Sequence, residues 1–141
     1  LGLFVKLSMF SHFTIEDANK VLPSVIKKFK DIVNLKNGVV KIQSEMETNP
    51  RYMSSFKDYV LKKQELNTAI TNFYKAIDDL ESTGVMVKSI EEGLLDFPSL
   101  RFNEEVWLCW KEGETEIKFW HGKDEGFMGR KPLSISDESL V

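Results

Sequence analysis

The chain has 141 residues, of which 42% are hydrophobic and 29% charged, and its formal net charge is −3. This composition predicts one soluble globular unit and excludes a disordered chain. Acidic side chains outnumber basic ones in residues 85–141 and no basic face accompanies them, so we do not expect nucleic acid as a partner. A single cysteine excludes an internal disulfide and favours the cytoplasm. The apolar runs are far shorter than the ~20 residues of a membrane span, so no membrane segment is expected.

Both ends of the chain are predicted to lie outside the globular unit. Residues 1–13 form an N-terminal extension that is mildly apolar but lacks the basic region and cleavage site of a signal peptide. Because Met9 could be the true start, two interpretations stay open: the extension is disordered, or part of it lies upstream of the native start. The polar residues 134–141 are predicted to form a flexible tail.

A long amphipathic helix is predicted to begin at Thr14. The Thr14 hydroxyl can cap the free amides of the first turn, and Glu16 and Asp17 lie favourably at the positive end of the helix dipole. Apolar residues then recur at helical spacing, with an interruption expected near Gly38. Pro23 should kink or restart this helix.

A second helix is predicted to start after Asn49-Pro50 and to stop at Gly84, so that residues 14–84 form a long antiparallel helical hairpin. Two helices of about 30 residues would each extend ~45 Å, which is more than the small remainder of the chain could cover. The apolar stripe would be partly uncovered in a monomer. We therefore predict a homodimer through the helices, as a coiled-coil-like four-helix arrangement. The alternative is a shorter, broken first helix that folds back at Gly38.

Residues 85–133 change to a pattern of short strands, which predicts a small antiparallel β module packed on the helices and an α+β fold class. Strands are predicted over residues 85–90, 105–110 and 116–121, and a turn at residues 112–114 can join the last two into a hairpin. Alternation places Trp107 and Cys109 on one face of the second strand, while His121 ends an apolar row of the third.

Motifs that follow one another along most of the chain carry a family resemblance. In chain order they are Phe13-Thr14-Ile15-Glu16-Asp17-Ala18, Leu22-Pro23, Gly84, Val87-Lys88, Gly93-Leu94-Leu95-Asp96-Phe97-Pro98, Leu108-Cys109-Trp110, Gly113-Glu114, Trp120-His121, Gly126-Phe127 and Gly129-Arg130-Lys131-Pro132-Leu133. On these residues the chain resembles a family of short bacterial and archaeal proteins known as domain of unknown function 2203. The resemblance implies a helical hairpin followed by a strand-rich module, and it brings no reaction, substrate or cofactor.

A cluster of polar residues in the β module is the candidate site, namely Asp96, Glu114, His121, Asp124 and Arg130. One hypothesis makes His121, Asp96 and Asp124 the ligands of a divalent metal ion, because imidazole and carboxylate groups suit zinc, iron or manganese. In that case Asp124 or Glu114 would be the carboxylate base and Arg130 an anion clamp. The structural alternative is that His121 donates a hydrogen bond to a buried carboxylate such as Asp96.

A candidate ligand-binding loop follows the last predicted strand and consists of Gly126, Phe127, Gly129 and Arg130. Its glycines permit close backbone approach, and the Arg130 guanidinium offers a planar fork for a carboxylate or phosphate. The loop is neither a phosphate-binding loop nor a dinucleotide fingerprint. The alternative is that Arg130 pairs internally with Asp96, Glu114 or Asp124.

The sequence assigns no reaction. It favours a cytoplasmic, dimeric interaction or scaffold protein, or a small-ligand-binding module, with a protein or small molecule as partner. The competing interpretation is a metal-binding protein or metal-assisted enzyme that uses the histidine and carboxylates of the β module. Cys109, flanked by Leu108 and Trp110, is predicted to be buried and inert, not a nucleophile.

Overall fold

The computed structural model describes residues 12–133, so residues 1–11 of the predicted extension and the whole predicted tail, 134–141, lie outside the described residues. In chain order the elements are α1 (Ile15–Thr48), α2 (Arg51–Ser54), α3 (Phe56–Glu81), β1 (Met86–Ser89), β2 (Leu94–Arg101), β3 (Glu104–Lys111), β4 (Phe119–Gly122), a short 3-10 helix (Phe127–Gly129) and β5 (Lys131–Pro132). The fold is therefore α+β, with helices followed by a small antiparallel sheet, as the sequence predicts. The described residues divide into two compact units, one formed by residues 12–26 with 80–133 and the other by residues 27–79.

The first long helix is uninterrupted, which corrects the break expected near Gly38 and the restart expected at Pro23. The alternative of a shorter helix folded back at Gly38 is wrong for the same reason. Pro23 removes one backbone donor, but Leu22 and Val25 on either side of it are fully buried and hold the helix in place. Helix α1 thus shows that packing outweighs the local preference of a proline.

The helix ends follow the capping residues of the sequence. Thr14 Oγ1 accepts a hydrogen bond of 2.9 Å from the backbone N–H of Asp17, as predicted for the start of α1. The second predicted helix is divided into α2 and α3, because Ser55 between them has an extended backbone. After α3, Gly84 has a φ of +97°, the left-handed conformation in which glycine stops a helix.

In the unit of residues 27–79, α1 and α3 run antiparallel. Lys28 Nζ lies 2.6 Å from Asp79 Oδ2, and Lys62 Nζ lies 2.8 Å from Glu45 Oε2. Because Lys28 precedes Glu45 while Asp79 follows Lys62, the two chain directions are opposite. The helical hairpin predicted by the sequence is present. Between residues 12 and 133 the chain contains no helix with the length and apolar character needed to traverse a bilayer.

In the described part of the chain the strands form one five-stranded antiparallel sheet in the order β1-β2-β3-β4-β5. Strands β1 and β3 match two predicted strands closely, but the third, predicted over residues 116–121, begins only at Phe119. The reason lies at Ile117, which is buried and whose backbone N–H donates to Asn19 Oδ1 at 2.7 Å. This segment is bonded to α1 and not to β3.

Strand β2 is not among the predicted strands, and it contains Pro98, a residue disfavoured in the middle of a sheet. The structure accommodates Pro98 because β1 pairs only with the first part of β2, up to Asp96. Beyond that point the carbonyl of Pro98 accepts a 2.7 Å hydrogen bond from the backbone N–H of Phe13. The Phe13 ring also packs edge-on against Phe97, with 5.3 Å between ring centres.

The central strands present two different faces. One face is apolar and buried, with Leu95, Phe97, Val106, Leu108 and Trp110. The alternating residues Asp96, Cys109 and His121 point to the opposite face and are buried there. This second face carries the candidate site.

Candidate functional site

Three buried side chains with different donor atoms meet on the polar face of the sheet. Asp96 on β2 is paired with Cys109 on β3, and His121 on β4 is paired with Trp107, the next residue of β3 on that face. The carboxylate oxygen, the thiol sulfur and the imidazole nitrogen lie within 4.8 Å of one another. All three residues are at most 3% exposed. An oxygen, a sulfur and a nitrogen atom, each of a type that can bind a metal ion, therefore lie together at a place that water barely reaches.

His121 is held by hydrogen bonds at both ring nitrogens. Nε2 lies 2.9 Å from Asp96 Oδ2, and Nδ1 lies 3.0 Å from the carbonyl oxygen of Gly122. Because a carbonyl only accepts, Nδ1 carries the proton of that contact, and Nε2 is the nitrogen that faces Asp96. Burial alone would lower the pKa of His121, but the hydrogen bonds to Asp96 and Gly122 outweigh it and raise that pKa. The hydrogen bond predicted between His121 and Asp96 is confirmed.

Cys109 is buried, as predicted. Burial, and after it the negative charge of Asp96, raises the pKa of the Cys109 thiol to about 12. At neutral pH the sulfur therefore keeps its proton and is a poor nucleophile. A bound divalent cation would reverse this, because a coordinating thiol is deprotonated by the ion.

The two oxygens of the Asp96 carboxylate are in different situations. Asp96 Oδ1 is buried and has no hydrogen-bond partner among the described residues, while Oδ2 accepts from His121. A buried acceptor left without a donor is costly, and in native proteins it usually has a functional reason. Asp96 also lines a cavity of about 250 Å³ together with Cys109 and His121. A cation next to this cavity would satisfy the unpaired oxygen.

Only part of the candidate ligand-binding loop lines this cavity. Gly126 and Phe127 line it, whereas Gly129 and Arg130 are not among its lining residues. Gly129 has another role, since a side chain there would place its Cβ 2.9 Å from the Cβ of Glu125. The glycine thus permits the tight 3-10 turn that follows the cavity wall.

Arg130 is engaged inside the protein. Its Nη2 lies 2.9 Å and 2.7 Å from the two carboxylate oxygens of Glu114, and both side chains are mostly buried. The guanidinium carbon lies 3.9 Å from the ring centre of Phe119 and 4.7 Å from that of Phe127. The internal partner predicted for Arg130 is confirmed. This pair fastens the segment after β4 to the turn after β3.

The sequence suggests three metal ligands, and the structure brings two of them, Asp96 and His121, together. Asp96 and His121 are in contact, whereas Asp124 lines an adjoining open cavity of about 740 Å³ and not the cavity next to the cluster. Cys109 lies beside Asp96 and His121 instead, and it is not one of the ligands expected from the sequence. The alternation of side chains along β3 predicts that Cys109 faces the side of the sheet opposite to Leu108 and Trp110. Only the pairing of β2 with β3 shows that Asp96 lies beside Cys109.

Comparisons with known proteins agree with the resemblance carried by the sequence motifs. Comparison with curated proteins and with solved structures gave no match. A family model matches residues 11–133, which include every residue of the cluster described above. The chain belongs to the family described as "Uncharacterized conserved protein (DUF2203)".

Proposed function

We propose that the chain binds one divalent metal ion through Asp96, Cys109 and His121. The observation that carries this proposal is the convergence of three buried donor atoms within 4.8 Å. Zinc accepts carboxylate oxygen, thiolate sulfur and imidazole nitrogen, and a set that contains a thiolate and an imidazole favours zinc or iron over magnesium or calcium. The sequence-based hypothesis of a metal site is thus retained with Cys109 in place of Asp124.

In the metal-free chain, the proposed ligand atoms carry or share protons instead of binding an ion. The Nε2 of His121 faces Asp96 with a proton between them, and the Cys109 thiol is protonated. Binding of a cation would release these protons, while the Nδ1 hydrogen bond to the Gly122 carbonyl would keep the ring in its orientation. A reducing cytoplasm would keep the Cys109 sulfur available, so we also propose that location.

Three protein ligands leave one position open on a tetrahedral ion. Structural zinc sites are closed by four protein ligands, whereas catalytic sites keep a position for water or substrate. The cavity of about 250 Å³ borders all three proposed ligands and offers room for such an exchangeable ligand. This supports a metal-assisted activity over a purely structural ion.

Elemental analysis of the full chain, purified without chelators, tests the proposal. We expect about one zinc or iron per chain, recovered by zinc titration if the ion is lost during purification. Cys109→Ser and His121→Ala should lose the metal, and Asp124→Asn should retain it. If His121→Ala fails to fold, the conservative Cys109→Ser decides. If the wild-type protein is free of metal and takes up no zinc, the proposal is wrong. If the melting temperature then falls on His121→Ala, the contact between His121 and Asp96 is a structural ion pair only.

A second proposal concerns residues 27–79, for which we propose homodimerisation and a scaffold role. Large apolar side chains are exposed on this unit, with Val40 at 52%, Phe56 at 82%, Leu61 at 54% and Tyr74 at 61%. A hairpin of two helices can bury only one stripe of each helix, and a second copy would cover more of them in a four-helix arrangement.

Light scattering tests the dimer. The chain mass is 16.3 kDa, and we expect twice that mass for the wild-type protein. Leu61→Glu should return the mass to that of one chain, because a charge replaces an apolar side chain at the interface. Thr115→Glu, which adds a charge at an exposed position outside residues 27–79, should leave the dimer intact. A wild-type mass of one chain across a wide concentration range would contradict the proposal.

A further inference from the structure

The cavity beside the proposed metal ligands has an unequal distribution of charge at its rim. The Lys88 ammonium lies 4.1 Å from the ring centre of Trp107, so its described contact is with an aromatic face. By contrast, Lys123 on the same rim lies 3.7 Å from the carboxylate of Glu105. A lysine over an aromatic ring keeps its full positive charge. Lys88 therefore adds a positive charge to the cavity rim.

The proposed metal site would not cancel this charge. The Asp96 carboxylate and the Cys109 thiolate balance a divalent cation, and His121 as a ligand is neutral. Glu125, the remaining acidic residue of the lining, is already paired with Lys131 at 2.7 Å. One positive charge is left for a ligand to neutralise.

The size and walls of the cavity restrict the ligand further. A volume of about 250 Å³ is below the ~300–1,000 Å³ of sites for drug-sized molecules. Trp107 and Phe127 supply aromatic surface to its walls. A small molecule with one negative charge and a flat or apolar body matches both the charge and the shape.

We propose that the cavity binds a small organic carboxylate. One carboxylate oxygen would bind the open position of the metal ion, Lys88 would pair with the carboxylate, and the apolar part would lie against Trp107 and Phe127. This inference rests on the metal site proposed above. It names the ligand class of that site, which neither the family nor the sequence motifs assign.

The full chain loaded with cobalt(II) tests the inference, with benzoate as the probe and the uncharged benzamide as its control. The thiolate-to-cobalt charge-transfer band reports the metal, and the cobalt d–d bands report the exchangeable ligand. We expect benzoate to shift the d–d bands and benzamide to leave them unchanged. Lys88→Met should weaken benzoate binding about tenfold or more, because a hydrogen bond between two charged groups is lost. Lys118→Met is the control, since Lys118 is exposed and is not among the lining residues of the cavity.

The outcomes separate this inference from the metal site. A charge-transfer band that forms normally, with d–d bands that do not respond to benzoate, would overturn the carboxylate ligand and leave the metal site standing. Equal benzoate affinity in the Lys88→Met and Lys118→Met proteins would also overturn it. Absence of the charge-transfer band in the wild-type protein would remove the metal site and, with it, the carboxylate ligand.

Discussion

Asp96 and Cys109 lie directly opposite each other on β2 and β3, and this pairing brings the carboxylate and the thiol to the same face of the sheet. The Cβ atoms of such directly opposed residues are only ~4.5–5.5 Å apart. His121 reaches the same face from β4 on the other side of β3. A slip of β2 by one residue would turn Asp96 to the apolar face, so the register of the sheet determines whether the cluster exists.

Asp96→Asn should destabilise the metal-free protein by about 1 to 3 kcal/mol, because the buried imidazole of His121 loses a charged hydrogen-bond partner. Urea unfolding followed by circular dichroism measures the change. Asp124→Asn is the matched control and should change the free energy of unfolding by no more than about 0.5 kcal/mol, since Asp124 is exposed. Equal effects of the two substitutions would show that the hydrogen bond to His121 contributes nothing to stability.

Cys109 should react very slowly with iodoacetamide in the native, metal-free protein. The residue is 1% exposed, and its thiol pKa of about 12 leaves almost no thiolate near pH 8. Because it is the one cysteine of the chain, mass spectrometry of the intact protein reports its labelling directly. The same protein unfolded in urea should label quickly and serves as the control. Rapid labelling of the native chain would place Cys109 near solvent, against the structure.

Glu114→Ala should lower the free energy of unfolding by about 1.5 to 3 kcal/mol, because the Glu114 carboxylate accepts charged hydrogen bonds from the mostly buried Arg130 guanidinium. It also accepts a 2.7 Å hydrogen bond from the backbone N–H of Lys111, which the substitution removes. Glu116→Ala, two residues along the chain and exposed, should stay within about 0.5 kcal/mol of wild type. Thermal and urea unfolding of both variants measure the difference, and similar losses in both would contradict the importance of the pair.

The same substitution at two glycines should have opposite effects. Gly93 has a φ of +69°, and an added Cβ would lie 2.5 Å from the Cβ of Glu112, so Gly93→Ala should destabilise by more than about 1 kcal/mol. Gly38 lies within α1, and an added Cβ would meet no atom within 4 Å. Gly38→Ala should therefore stabilise by about 0.5 to 1 kcal/mol. Urea unfolding that gives both changes the same sign would contradict this assignment of the two backbones.

The parts of the fold that the sequence predicts correctly depend on local signals. The Thr14 hydroxyl and the spacing of apolar residues are enough to predict the start of α1, and Gly84 is enough to predict the end of the helical hairpin. Strand β2 escapes prediction because Pro98 argues against it, and the partner of the Pro98 carbonyl is the backbone N–H of Phe13, far away in the chain. Contacts between distant segments override local preference at these positions.

The candidate site was predictable only in part for the same reason. Asp96 and His121 could be recognised as a buried pair from their residue types, but the inclusion of Cys109 depends on the pairing of β2 with β3. Asp124 is three residues from His121 in the sequence, yet it lines the adjoining cavity and not the one next to His121. Residues that follow a strand can therefore be close in sequence without their side chains being in contact.

X-ray absorption at the zinc edge of the zinc-loaded chain tests the proposed metal site most directly, because it identifies the atoms bound to the ion. We expect one sulfur neighbour at about 2.3 Å together with nitrogen and oxygen neighbours at about 2.0–2.1 Å. A wild-type spectrum with nitrogen and oxygen neighbours alone would contradict the site formed by Asp96, Cys109 and His121.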